Sequence, residues 1–446
     1  MTIVTSELVF AEDRWHRNHG FVVQGGRILA SGSPADLHSE YQDHEREDWG
    51  SVAVLPGTVN GHGHSFQALL RGFGDDLSFM GWRDRVLYPL SQRLDRDGIA
   101  TGALLDFAEM AKAGITTAVD FFYLHDRGNE NDLAVVEAAR QVGIRVVLAR
   151  SMYDWTGAPQ RYQETPVQAE RNFRDLEAIL RGDTGGFVQP APHSIHAASP
   201  DMIRTGAALA EELDLPFHIH VAEGRYERDQ SFERHGLSPV MYLDSLGVLS
   251  NRTLMVHGVW VDDRDLAVMK ERGVTVVHNP SANAFLGDGI APVRDMLERG
   301  IPVCLGTDGG CTNSRQSIFE EMRMAALLAK ARAADGSVLG AEETFLMGTT
   351  RGGQALGLPV GRIAADHAAD FVVVALDRLS LQPTSTAPQQ IVYSMQPDAI
   401  ERVIVAGETI VDHGHLTRVD EAEIVRRVAR VTAGWPTPEA ALIGPS

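Results

Sequence analysis

Cysteine is nearly missing from this 446-residue chain: Cys304 and Cys311 are the only two. That is too few for a disulfide framework and points to a reducing, cytosolic setting. No run of 18 apolar residues occurs, so a membrane-spanning helix is not expected. The opening MTIVTSELVFAED carries neither a basic leader nor an apolar signal segment, and the protein is expected in the cytoplasm. Basic residues are in deficit, 40 Lys and Arg against 60 Asp and Glu, for a formal charge of −20 with no polybasic run to offset it. Nucleic acid and anionic membrane are therefore not expected as partners. Internal repeats and low-complexity segments are also lacking.

What is present is an apolar share of 44% with 22% charged residues, ample for a globular core. Residues 1 to about 50 alternate as short strands, with Gly25-Gly26 placed as a hairpin turn. From residue 52 the pattern becomes strand, helix, strand, helix. Apolar runs end at VAVLPGTVNGHGH, ITTAVDFF, RVVLAR, GFVQPAPHS, PFHIHVAE, TLMVHGV, VTVVHNP and IPVCLGTD. Eight such units predict an α/β fold, a (β/α)8 TIM-like barrel, whose active site lies at the C-terminal strand ends. A doubly wound open sheet is the alternative. Beyond residue 366, AADFVVVALD, QIVYSM and IERVIVAGETIVDHG read as strands. Residues 1–55 and 366–420 are then expected to form one small β-sandwich domain built from both termini, residues 56–365 the barrel, and 421–446 a C-terminal helix and loose tail.

The informative residues sit where the eight runs end. His62 and His64, two apart on a strand end, project in one direction as two ligands of one ion must. His193, His220, His257, His278 and Asp308 end five further runs, and Glu223 follows His220 by three residues. Any one of these histidines alone is as well explained by a polar layer of the core. Together, His62, His64, His220 and Asp308 make a donor set suited to one divalent ion, Zn²⁺ before Fe²⁺ or Mn²⁺. His218 shares a face with His220 but lies deeper, and PAPHS supplies no lysine to bridge a second ion. Glu223 is placed to shuttle a proton, with His257 and Asp308 orienting water and substrate. Trp82, Phe121, Phe122, Tyr123, Trp155 and Phe285 are candidates to stack on a flat ring or to pack a lid.

PGTVNGHGH, FHIHVAEG, LMVHGVW, VTVVHNPSAN and VCLGTDGG resemble, in order and spacing over nearly the whole chain, the amidohydrolase superfamily and its mononuclear aminohydrolase branch. The resemblance implies hydrolytic deamination of an amidine-like carbon by Zn²⁺-activated water, in a homo-oligomer, a dimer. It assigns His62, His64, His220 and Asp308 as ligands, Glu223 as proton shuttle and His257 as an assisting histidine. Two sub-resemblances compete over substrate. HGHSFQ with Gln67, Trp82-Arg83, Tyr123 and AFLGDGI look like formimidoylglutamate deiminase, although His196 stands where that enzyme's carboxylate-gripping arginine would be. LLRGFGDDLSFMGW and IFEEMRMAALLAK look like the adenosylhomocysteine, heterocycle and triazine group. Gln67, Arg83, Tyr123, His193 and His196 are the candidate substrate contacts, Arg83 because its planar fork suits a carboxylate. A non-catalytic barrel is the rival from another class; its mark would be a lost ligand or a lost Glu223, and neither is missing.

Overall fold

The computed structural model describes residues 1–42, 44–183 and 185–438. The chain begins with β1 (Thr2–Ala11), β2 (Arg14–Gln24), β3 (Arg27–Gly32), β4 (Glu45–Asp48) and β5 (Val52–Pro56). Gly25 and Gly26, with φ of 56° and 76°, make the β2–β3 turn, a conformation that costs glycine little. There follow β6 (Thr58–Asn60), β7 (Gly63–His64), β8 (Ile115–Phe122), β9 (Arg145–Met152), β10 (Gly186–Pro192), β11 (Phe217–Val221), β12 (Thr253–His257), β13 (Thr275–His278), β14 (Val303–Leu305) and β15 (Asp308–Gly309). The last four are β16 (Phe371–Ala375), β17 (Ile400–Val405), β18 (Glu408–Asp412) and β19 (His415–Leu416).

β6, β8, β9 and β10 form one parallel sheet and β11 to β14 another. β8 and β9 are buried along their whole length, as strands covered on both faces are. The two half-sheets meet at a Ser194–His220 bridge on one side and at the Gly61 N–H, which donates to Leu305 C=O at 2.8 Å, on the other. Helices separate the strands in a TIM-type α/β arrangement. Helix Pro166–Leu180 shows how the sequence specifies them. Pro166 occupies its first turn, Thr165 and Gln168 form a reciprocal capping box, and Ala169, Phe173, Leu176 and Leu180 carry its buried stripe.

The terminal strands build one nine-stranded sheet, a path of eight ordered β19-β18-β17-β16-β5-β1-β2-β3 with β4 paired on β1, where two stacked sheets were expected. The sheet is curled. Ile28 N–H donates to His367 C=O, and Ala369 N–H to Gly26 C=O, so the β3 edge meets the segment that leads into β16. Phe21 and Phe371, three strands apart in the path, have ring centroids 4.6 Å apart inside the curl.

Two further expectations change. The run from residue 52 to 64 is three strands: β5 belongs to the terminal sheet, β6 to the barrel, and β7 pairs with β15. Pro56-Gly57 is the joint, and a Cβ at Gly57 would collide with the Thr116 side chain. The QIVY of QIVYSM is helical, the end of helix Ala387–Tyr393. Its buried Ile391 and Val392 pack with a neighbour, helix Ile318–Ala333, whose Arg323 and Lys330 bond the Tyr393 carbonyl and hydroxyl. Helix Glu421–Val431 is present as expected, but residues 439–446 of the predicted tail lie outside the described residues. The Gly57 joint makes a prediction: Gly57→Ala should destabilise the fold by about 1–3 kcal/mol, the usual cost of overpacking, seen as a lower melting temperature; an unchanged melt contradicts the tight joint.

Candidate active site

The buried residues at the C-terminal strand ends converge. His62 and His64 leave β6 and β7, His220 lies on β11, His257 ends β12, and Asp308 begins β15. Three of these ends are bent through left-handed backbone at non-glycine residues: Ala222 (φ 55°), His257 (79°) and Asp308 (61°). Such conformations cost of order 1–3 kcal/mol each and gather at functional sites. They turn Glu223, His257 and Asp308 inward.

His62 Nε2 is 3.2 Å from His220 Nε2, and Asp308 Oδ1 is 3.4 Å from the Nε2 of both His62 and His64. His64, His62 and His220 offer nitrogens all within 4.8 Å of one another, and Glu223, His257 and Asp308 form a second group on the same criterion. The tautomers separate the two groups. His64 Nδ1 lies 2.6 Å from Phe121 C=O and His220 Nδ1 2.8 Å from His193 C=O. A carbonyl only accepts, so both Nδ1 atoms carry hydrogen and both Nε2 lone pairs point inward. His257 is arranged the other way. Asn283 Nδ2 is 2.9 Å from His257 Nδ1 and 3.4 Å from Asp288 Oδ2; an amide nitrogen facing a carboxylate donates, so Nδ1 accepts and Nε2 bears the hydrogen. That hydrogen lies on the Glu223 side, with Oε1 at 3.5 Å. His64 and His220 thus turn an acceptor nitrogen toward the cluster, and His257 a donor.

Burial pushes the His64 imidazole down to about 4 and that of His257 to about 3, and holds His220 well below its ordinary value, helped by the neighbouring imidazoles. Asp308 goes the other way for a carboxyl in such a place: burial raises it, but the hydrogen bond and charge of His62, with His64 and His257, hold it below the usual range. Neutral imidazoles facing an ionised carboxylate fit one divalent cation of borderline softness. Glu223 is raised well above the usual range by burial and then by Asp288 and Asp308, and Asp288 is raised to about 7, chiefly by burial.

Beside this cluster is a cavity lined by Gln67, Arg83, Tyr123, His193 and His196 together with Glu223 and His257. His193 stacks on His220 at 4.7 Å. Arg83 lies over Tyr88 and Trp155 at 5.4 and 5.5 Å, and among the described residues its one ion pair is with the exposed Asp84. His218 is turned away and bonds Gln189 Oε1 at 2.6 Å. His278 is buried and contributes nothing to the cavity lining. Of the aromatic candidates, Trp82 and Tyr123 line the cavity and Phe121 packs on His220 at 4.4 Å. Phe122 points to the opposite face of its strand, against His125. Sequence reasoning passed over Asn279, Asn283 and Asp288, and also Tyr88, Tyr153 and Tyr162, which line the same cavity. The asparagines were findable: four residues apart from the end of β13 into a helix, they share one face, and both reach His257.

Known proteins similar to this chain are numerous. The sequence model of the Amidohydrolase family matches residues 53–410. A 5'-deoxyadenosine deaminase of Methanopyrus kandleri is 35% identical over 417 residues, 91% of this chain and 94% of its own length. A 5-methylthioadenosine/S-adenosylhomocysteine deaminase of Thermococcus onnurineus is 36% identical over 357 residues, 80% and 82% of the two chains. Among solved structures, an adenosine deaminase from Xanthomonas campestris with bound zinc superposes with a TM-score of 0.89 at 27% identity, covering 97% of this chain and 98% of its own. With the family's match spanning most of the sequence, the chain belongs to the amidohydrolase family.

Proposed function

We propose that this chain is a hydrolytic deaminase that uses one divalent ion, zinc first, to release ammonia from an amidine-like carbon of an aminated heterocycle, with an adenine nucleoside as the leading substrate class. It is a hydrolase of carbon–nitrogen bonds other than peptide bonds, as its relatives are by name. The observation that carries the reading is the convergence of the Nε2 atoms of His62, His64 and His220 on Asp308 and on one another, beside Glu223 and a donating His257. His62, His64, His220 and Asp308 are the proposed ligands; a bound ion there supplies Lewis-acid activation of water.

The chain's own groups do the rest. Glu223, as the carboxylate, takes a proton from water, holds it because burial raises its proton affinity, and returns it to the departing nitrogen. The carbon exchanges its C–N bond for a C–O bond, and one water is consumed for each ammonia released. His257 Nε2–H donates to the oxygen being added, and Asp308 orients the water. Gln67, Tyr123, His193 and His196 hold the substrate. The same reading takes the two half-sheets as one eight-stranded barrel over residues 56–365, carried by a β domain from 1–55 and 366–420, with helix and tail from 421. It places the enzyme in the cytoplasm as a homo-oligomer with small-molecule partners alone. Among the described residues no helix is long and apolar enough to cross a membrane.

Arg83 favours a second substrate class, formimino or guanidino acids, because it brings a guanidinium to the cavity wall. His196 shares that wall, its imidazole pushed down to about 4 by burial and then by the charges of Arg83 and Arg234. Replacing Arg83 by Met should raise KM roughly tenfold or more for anionic substrates, the scale of a lost charged hydrogen bond, and leave neutral ones unchanged; equal effects on both remove the anion role. An ammonia-release screen across aminopurine nucleosides, free aminopurines, triazines, pterins, and formimino and guanidino acids tests the whole reading, and release from none of them counts against it.

A further inference from the structure

Trp82, Cys311, Gln67 and Tyr123 form a buried chain of hydrogen bonds with one direction. Trp82 Nε1 is 3.3 Å from Cys311 Sγ, Cys311 Sγ is 3.2 Å from Gln67 Oε1, and Gln67 Nε2 is 2.7 Å from the Tyr123 hydroxyl. All four side chains are buried. An indole N–H only donates, so the sulfur accepts at one end and keeps its hydrogen to give at the other. Burial pushes the Cys311 thiol up, so that hydrogen is retained.

A buried amide can sit either way round, and its neighbours decide which. A donating thiol turns the Gln67 oxygen toward Cys311 and its nitrogen toward Tyr123. The Tyr123 hydroxyl then accepts, and among the described residues its own hydrogen meets no acceptor. The ring lines the cavity, 5.3 Å from His64 and 5.7 Å from His193. Gly309 makes the arrangement sterically feasible: a Cβ there would collide with the Gln67 amide.

The geometry points to Cys311 as a positioning residue that, through the Gln67 amide, sets Tyr123 as a hydrogen-bond donor to substrate. The cavity then selects molecules with an acceptor, a ring nitrogen or carbonyl oxygen, beside the reacting carbon. Which acceptor is used rests on the deaminase reading; the direction of the chain does not.

The test pairs kinetics with a measurement that needs no substrate. With 5'-deoxyadenosine as probe, Cys311→Ala should raise KM roughly five- to tenfold, as for a lost neutral hydrogen bond, with kcat within about twofold and metal content unchanged. Cys311→Ser, which keeps a donor and an acceptor, should restore KM. Tyr123→Phe should match Cys311→Ala, and the double variant should add nothing further, since both remove one interaction. Wild-type KM in Cys311→Ala, or additive effects in the double variant, overturns the proposal. The infrared S–H band of Cys311, isolated as wild type minus Cys311→Ser, should lie where a donating thiol absorbs and move toward the free-thiol position in Gln67→Leu. An unmoved band overturns the relay by itself, whereas a moved band with no ammonia from 5'-deoxyadenosine keeps the relay and counts against the nucleoside reading.

Discussion

Glu223→Gln should leave the ion in place and lower turnover by roughly 10²–10⁴-fold, the range that a positioned acid–base group contributes. The reason lies in where Glu223 sits. It follows the left-handed Ala222, is buried, and lies on the donor side of His257 at 3.5 Å. Glutamine preserves the shape and the acceptance from His257 but holds no transferable proton. The backbone N–H of Glu223 is already tied to Glu227 Oε2 at 2.9 Å, so the loop should not move. Metal content, melting temperature and KM should therefore stay near wild type while kcat falls. A variant that turns over normally removes Glu223 from the chemistry; one that loses its metal moves Glu223 into the ligand set.

Asp308→Ala should have an effect at least as large, by a different route. Asp308 Oδ1 reaches the Nε2 of both His62 and His64, and it is the carboxylate that His62, with His64 and His257, holds below the usual range. Its removal deletes the one anionic member of the proposed ligand set. Bound metal should fall well below one ion per chain, and activity by roughly 10³-fold or more, since a single electrostatic stabiliser alone is worth about 10²–10³. A readout apart from activity exists: ligand binding to the native state raises stability by about 4 kcal/mol at a thousandfold excess over Kd. The wild-type melt should rise on adding Zn²⁺ and that of Asp308→Ala should not. A zinc-dependent rise retained in the variant would rule Asp308 out as a ligand.

The ligands were legible because their chemistry repeats at a readable place, the ends of apolar runs, and His220 could be preferred to His218 by depth along one strand. In the structure His218 bonds Gln189, while His220 joins the cluster with His62 and His64. Strand alternation would also have excluded Phe122, which shares a strand with Phe121 but not a face. QIVYSM was ambiguous because a six-residue apolar run fits a strand or a buried helix equally, and only the contacts of Tyr393 decide. The run at 52–64 was read as one strand because nothing local marks a change of sheet except Pro56-Gly57, whose meaning depends on Thr116 some sixty residues away. Tyr88, Tyr153 and Tyr162 escaped for the same reason: a cavity wall is assembled from several segments, and no single window of sequence contains it.

The most direct test titrates metal-free protein with Zn²⁺ while following ammonia release from 5'-deoxyadenosine. Activity should be absent without metal, rise in proportion to added zinc and saturate at about one ion per chain, as one set of four ligands requires. Full activity in the metal-free protein, or saturation only at two ions per chain, would contradict the account.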